Sequence, residues 1–272
     1  MIAEFVGQDY AAYTEAEHAT WRTLYARMLP DWQRYANPRF LEGLTCLALD
    51  AERVPRLAEV NQFLCPRTGF VARAVAGYMP AFEFFDCLRR REFPTTVNVR
   101  PFAQLDYLPE PDIFHDIAGH VPMHTDPAFA EALVRFGECA HAAAEHDDQQ
   151  VLASRIRALA RFFWFTVEFG LMRTSGGLRA YGSGLLSSHG ELGRAIESPR
   201  VQRHRLQLEW VINQSFEIDR YQPLLFSIES FDELYEQAGR LAEWMRSGRL
   251  DHVAAGEPVV NEVDLRSFRL KG

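Results

Sequence analysis

The sequence predicts a mostly α fold with minor β, and three observations carry that expectation. Apolar residues recur at helical spacing over most of the chain, proline and capping residues mark where those runs begin, and β-branched or alternating stretches are few and short. Trp21, Leu24, Tyr25 and Met28 sit at i, i+3, i+4 and i+7, which makes them one face of a first helix that Pro30 is expected to end. Asn37-Pro38 supplies a cap and a first-turn proline for a helix through Leu49, and Pro55 opens a segment carrying Leu57, Val60 and Leu64. Pro80 starts a run with Phe82, Phe85 and Leu88. Asp126-Pro127 caps a long helix through Phe129, Leu133, Phe136 and Ala140, and a further helix is expected over 154–172. Strand signals are limited to 95–99, 224–228 and the partly alternating 259–265, enough for small sheets only. Ligands are then expected between helices.

Composition bounds the function. The chain has 272 residues, 47% of them hydrophobic, with no low-complexity linker or internal repeat, so a single catalytic domain over 1–272 is expected. A formal net charge of −8 argues against nucleic acid as a partner, since counterion release needs a dense basic face. The one basic run, Arg89-Arg90-Arg91, reads as a solvated helix end. Cys46, Cys65, Cys87 and Cys139 show no C-x-x-C spacing and read as reduced core cysteines. No basic-then-apolar leader and no run of 18 apolar residues is present, so a cytoplasmic protein without a membrane partner is expected.

The chemistry concentrates at Pro111-Asp112-Ile113-Phe114-His115-Asp116-Ile117-Ala118-Gly119-His120-Val121-Pro122. Pro111 and Asp112 suit a helix start, while Gly119 followed by Pro122 reads as a stop. His115 and His120 are five residues apart, which on an α-helix rotates them by about 140° relative to each other, so they converge only if the backbone departs from helix near Gly119. A lone carboxylate, Glu168, lies in the aromatic run from Phe162 to Met172 and must be paired, neutralised or metal-bound. Two imidazoles plus one carboxylate are the facial triad of non-haem Fe(II) oxygenases, which leaves positions open for oxygen and substrate.

The segment from Pro109 to Pro122 resembles the iron-binding segment of the pterin-dependent aromatic amino acid hydroxylases. Trp164-Phe165-Thr166-Val167-Glu168-Phe169-Gly170-Leu171 resembles that family's third-ligand helix, Ala180-Tyr181-Gly182-Ser183-Gly184-Leu185-Leu186-Ser187-Ser188 its substrate-side loop, and Tyr221-Gln222-Pro223-Leu224 also fits. The similarity runs in order over about 55–233. It implies His115, His120 and Glu168 as ligands of one Fe(II), with a tetrahydropterin (tetrahydrobiopterin or a related pterin) as cosubstrate. It also implies that Arg100 pairs with the substrate carboxylate, assisted by Ser187, in the bidentate manner that suits arginine. Trp164 and Phe114 would line the substrate pocket, Phe84 would stack on the pterin, Gly77 and Met79 would offer backbone hydrogen bonds to it, and Tyr107 and Glu110 match positions near iron and pterin.

Phe163, Ala118 and His189 depart from the family pattern, bearing on substrate and ring position rather than on reaction class. The resemblance implies the short bacterial form, without a regulatory domain or a tetramerisation helix, as a monomer or weak dimer. The expected reaction is hydroxylation of free L-phenylalanine to tyrosine with O2 and reduced pterin. Attack at the 3-position or on tryptophan are alternatives at the same site. A zinc hydrolase with these ligands and a silent pterin- or amino-acid-binding protein are alternatives of other classes.

Overall fold

The computed structural model describes residues 4–77, 79–106 and 111–269. A short strand β1 (Glu4–Phe5) precedes α1 (Glu15–Tyr35), which starts at a capping box where Thr14 and Glu17 satisfy each other's backbone N–H groups. Trp21, Leu24, Met28, Trp32 and Tyr35 form its buried stripe. Pro30 lies inside α1 rather than ending it. The stripe continues beyond it to Trp32, which is wholly buried with its Nε1 donating to the Leu186 carbonyl, and that burial outweighs one lost ladder bond.

Asn37 caps α2 (Pro38–Leu47) by accepting from the Arg39 N–H, as its sequence implies. After α3 (Leu57–Thr68) comes a β-α-β unit of β2 (Val71–Ala76), α4 (Ala81–Arg89) and β3 (Glu92–Thr96). The two strands are parallel, and β1 lies antiparallel on the free edge of β2. β3 begins earlier than predicted because Glu92 and Phe93 already pair with Val71 and Ala72.

From Ile113 the chain is helical again, but over Phe114–His120 it is a π-helix, which runs without a break into α5 (Val121–His124). Gly119 and Pro122 therefore do not stop the helix. Pro122 is carried within this continuous run, close to its end at His124, and Gly119 serves close packing instead. Asp126 caps α6 (Pro127–Ala144), which packs against α4, and the four residues expected along its apolar face are all buried.

α7 (Gln149–Phe163) widens into a second π-helical segment, Trp164–Glu168. The helix predicted to reach Met172 ends here, because Leu171 and Met172 belong to β4 (Leu171–Thr174), which pairs with β5 (Gly177–Ala180). Then follow α8 (Ser183–Leu186), α9 (His189–Glu197), β6 (Gln202–Arg205), α10 (Leu208–Val211), β7 (Leu224–Ile228), α11 (Phe231–Arg246) and α12 (Glu262–Arg269). The second sheet has the order β5-β4-β7-β6, and β7 spans the residues predicted for it.

The alternation read over 259–265 gives way to α12. Leu265 and Phe268 bury against α4, where Phe268 meets Phe82 edge-on at 5.1 Å and the Asp264 carboxylate caps the Ala81 N–H at 2.9 Å. All four cysteines are free; Cys87 and Cys139 are buried as expected, whereas Cys65 is exposed. Among the described residues no helix is long and apolar enough to cross a membrane.

Candidate active site

The two π-helical segments carry the three expected metal ligands. In the first, the Val121 N–H donates to the Asp116 carbonyl five residues back, and in the second the Phe169 N–H donates to Trp164 in the same way at 2.9 Å. A π-turn closes over five residues instead of four, so His115 and His120 come onto one side, and their Nε2 atoms are 3.2 Å apart. The backbone departure that the spacing demanded is thus a widened helix, not a helix end.

Glu168 completes the group, with Oε1 3.2 Å from His120 Nε2 and Oε2 3.7 Å from His115 Nε2. Metal bonds of about 2.1 Å at right angles place neighbouring ligand atoms about 3 Å apart, which the two imidazoles and the His120–Glu168 pair match and which the His115–Glu168 pair, at 3.7 Å, would reach by a small closing movement. Among the described residues this is the group of His, Cys, Asp and Glu able to hold a metal.

Protonation favours metal binding. Burial pushes the His115 imidazole down to about 4, leaving it neutral at physiological pH. Burial would raise the Glu168 carboxyl, but His120, His115 and the Ser183 hydroxyl outweigh it and hold it at about 2. The Ser187 hydroxyl donates its hydrogen to the Ser183 carbonyl at 2.8 Å, so its contact with His115 Nδ1, also 2.8 Å, must be one in which Nδ1–H donates. This fixes the tautomer that presents Nε2 to a metal.

Close packing allows this arrangement. A Cβ on Gly119 would lie 3.1 Å from the Ser183 carbonyl oxygen, and one on Gly182 would strike the Glu168 carbonyl. Glycine at both positions lets α8 approach the two ligand segments.

The triad opens onto a cavity of about 450 Å3 that His115 and Glu168 help to line, together with Met79, Phe84, Phe163, Trp164, Ser187 and Arg100. Trp164 is a fixed wall: it stacks on Phe216 with centroids 4.1 Å apart and planes 5° apart, and its Nε1 donates to Gln222 Oε1 at 3.3 Å. Phe84 stands perpendicular to Phe163, 5.6 Å away.

Arg100 is buried and held by Asp112, whose two carboxylate oxygens accept from Nε at 2.9 Å and Nη2 at 2.8 Å. Burial pushes the Asp112 carboxyl up, yet the Arg100 guanidinium outweighs it and keeps it below the ordinary carboxylate range. Asp112 also accepts from the His115 N–H, so one carboxylate orients both the arginine and the first π segment. From the sequence alone Asp112 suits only a helix start.

Phe114, expected as a pocket wall, is wholly buried and does not border the cavity. His115 faces the cavity, so its neighbour turns back into the α1 stripe, stacking 6.2 Å from Trp32 and meeting Trp21 edge-on at 5.2 Å. Gly77 ends β2 with φ of 89° and does not border the cavity either, whereas Met79 does. Tyr107 and Glu110 lie outside the described residues. Ala118 is buried, and His189 is exposed with Nδ1 2.9 Å from the Asp31 carboxylate, away from the cavity lining.

Ser183, Glu191 and Phe216 also sit in or behind the site and carry no distinguishing signal in the sequence; Ser183 falls in the loop from Ala180 to Ser188, but nothing local distinguishes a hydroxyl aimed at ligands from a helix-start serine.

A family model described as biopterin-dependent aromatic amino acid hydroxylase matches residues 7–259. The chain belongs to this family. A phenylalanine-4-hydroxylase of Caulobacter vibrioides is 41% identical over 231 residues, 85% of this chain and 76% of that protein. The corresponding Chromobacterium violaceum enzyme is 40% identical over 84% of this chain and 75% of its own. A crystal structure of phenylalanine hydroxylase from C. violaceum, with bound iron(III) and oxidised cofactor 7,8-dihydrobiopterin, superposes with a TM-score of 0.82 at 36% identity, covering 95% of this hydroxylase and 90% of that chain. The predicted mostly α hydroxylase fold and the family resemblance both hold.

Proposed function

We propose that this hydroxylase converts free L-phenylalanine to L-tyrosine, with Fe(II) held by His115, His120 and Glu168, and with tetrahydropterin and O2 as cosubstrates. The observation that carries the reading is the convergence of two imidazoles and one carboxylate on a single face, opening into an aromatic-walled cavity beside a buried arginine. The phenylalanine-4-hydroxylase names of its relatives support the same substrate.

When bound, the iron and the pterin together supply the reductive activation of O2 that delivers one oxygen atom to the ring. The chain's own residues bind and orient. Arg100 has N–H groups on Nη1 and Nη2 beyond those engaged by Asp112, and these suit the amino acid carboxylate in a forked contact. Ser187 lines the same cavity while orienting His115. Trp164 would pack against the substrate ring, Phe84 offers a face for the pterin, and Met79 borders the cavity where the pterin would lie, while the pterin contact of Gly77 rests on the family resemblance alone. Phe114 anchors the first π-helical segment against Trp21 and Trp32 of α1. Tyr107 and Glu110 are assigned to the substrate and catalytic sides by family resemblance. The aromatic walls exclude water, and holding the ring against the metal face turns an encounter into a positioned reaction.

The test is anaerobic loading with Fe(II) and tetrahydropterin, then O2, with phenylalanine, tyrosine and tryptophan each supplied and products separated by chromatography. Tyrosine formed from phenylalanine is the expected result. Product at the 3-position or hydroxytryptophan would reassign the substrate pose, and a protein that holds iron and pterin but hydroxylates nothing would overturn the reading in favour of a silent binding protein.

A further inference from the structure

Ser183 is 2% exposed, and its hydroxyl lies 2.8 Å from His120 Nε2, 2.8 Å from Glu168 Oε2 and 3.2 Å from the Val167 carbonyl oxygen. It stands four residues before Ser187 on the same short turn of chain, and the Ser187 hydroxyl donates to the Ser183 carbonyl. The two hydroxyls therefore serve the triad from one scaffold, Ser187 at His115 and Ser183 at His120 and Glu168. An Nε2 whose lone pair goes to a metal neither donates nor accepts a hydrogen bond. The single Ser183 hydrogen is then left to the carboxylate or the carbonyl, and the closer, charged acceptor is the stronger partner. That acceptor is Oε2, whereas the carboxylate oxygen near His120 Nε2 is Oε1, at 3.2 Å.

We propose that Ser183 is a positioning residue that holds Glu168 Oε2 by a hydrogen bond and so leaves Oε1 as the atom that grips the metal. Without that bond the carboxylate is free to rotate and bind through both oxygens, closing one of the positions that the facial arrangement keeps open. The inference rests on the metal-centre reading above. Gly119 and Gly182 add to it, because the close approach they permit is what brings α8 within reach of the ligands.

The experiment uses the full chain loaded with Co(II), whose visible absorption weakens as a ligand atom is added. Ser183→Ala removes one hydrogen bond to the Glu168 carboxylate, so the metal-free protein is expected to lose only a few degrees in its unfolding temperature. Its Co(II) affinity should fall about 10–100-fold, as for other orienting partners of ligands, and its visible band should weaken. Ser183→Thr, which keeps the hydroxyl, should restore both. Wild-type affinity and spectrum in Ser183→Ala would overturn the proposal. So would equal losses in the Ala and Thr variants, which would make the effect one of shape, or a loss confined to thermal stability. Failure of the wild-type chain to bind Co(II) or Fe(II) would instead bring down the metal centre itself, and this proposal with it.

Discussion

Besides Arg155, which pairs with Asp251 at 2.9 Å, α7 and its π-helical extension hold two charges largely away from water, Arg161 and Glu168, and the chain treats them in opposite ways. Arg161 is 0% exposed and donates to four backbone carbonyls, those of Glu257 at 2.8 Å, Ile212 at 3.0 Å, Ala254 at 2.8 Å and Ala255 at 3.2 Å. Its donors are nearly all committed, so it ties the segment before α12 to α7. Burial pushes its guanidinium down to about 10, which leaves it charged at any physiological pH. Glu168 has one oxygen on Ser183 and the rest of its acceptor capacity turned toward the imidazoles of His115 and His120. A saturated buried charge is a fastener, whereas an unsaturated one beside free lone pairs is a ligand.

The sharpest way to break that contrast is to delete each charge in turn. Glu168→Ala should take hydroxylation and iron content to background while the metal-free protein keeps its thermal midpoint within a few degrees. Arg161→Met should still bind iron but leave several buried carbonyls without donors, at about 2–4 kcal/mol, or roughly 5–15 °C in midpoint. Calorimetry with metal analysis separates them. A strongly destabilised Glu168→Ala, or an Arg161→Met as stable as wild type, would erase the distinction.

Ser187 tests the same idea one step from the metal. Ser187→Ala leaves His115 Nδ1–H without its acceptor, so Fe(II) affinity should drop about 10–100-fold in a chelator competition. An unchanged affinity would mean that packing alone holds the imidazole.

Much of this site was legible in the sequence for a simple reason: a carboxylate stranded among Phe163, Trp164, Phe165 and Phe169 and two histidines with a fixed offset are local facts. What they do not specify is how a five-residue offset closes. The π-turn goes with close packing, Gly119 against α8 and Gly182 against the Glu168 backbone, and not with a propensity at His115 or His120. Pro30 misled for the same reason. A proline signals a helix end locally, but the buried stripe to Trp32 and Tyr35 overrides it. Helix starts such as Asn37-Pro38 and Asp126-Pro127 read correctly because a cap is a contact within three residues. Arg100 was legible only through family resemblance, since its partner Asp112 is 12 residues away.

Glu191 offers a third kind of buried charge, partly satisfied and bordering the cavity. Burial pushes its carboxyl up to about 7, and one oxygen accepts the Gln222 N–H at 2.6 Å, which draws it part of the way back. The folded state then holds a proton that the unfolded chain releases near the ordinary value of 4.5. Its stability contribution is therefore complete below about 4.5 and is lost as pH rises through about 7. Glu191→Gln keeps an acceptor for Gln222 and removes the titration. Relative to wild type, the variant should gain up to about 2–3 kcal/mol between pH 5 and pH 8. Asp116, which burial also pushes up to about 7, titrates in both proteins and cancels in the difference. A pH-independent difference would show that Glu191 ionises normally.

The smallest expected effect concerns a buried polar group that neither fastens nor binds. His124 is 0% exposed, lies parallel to Phe70 with centroids 5.1 Å apart and packs near Phe93, and neither ring nitrogen has a hydrogen-bond partner. Its ring behaves as an apolar filler carrying an unmet desolvation cost, so His124→Leu, close in volume, should stabilise the protein by about 1 kcal/mol at neutral pH. Burial holds the imidazole well below 6.5, so the unfolded chain takes up a proton that the folded chain refuses as pH falls through 6.5. Wild type therefore loses stability on acidification that the leucine variant keeps, and the gap between their midpoints should widen from pH 7 to pH 5. His115, also held low, is common to both proteins and drops out. A gap that stays flat would show that His124 is hydrogen-bonded in solution, and would place it with Arg161 among the saturated groups rather than apart from both.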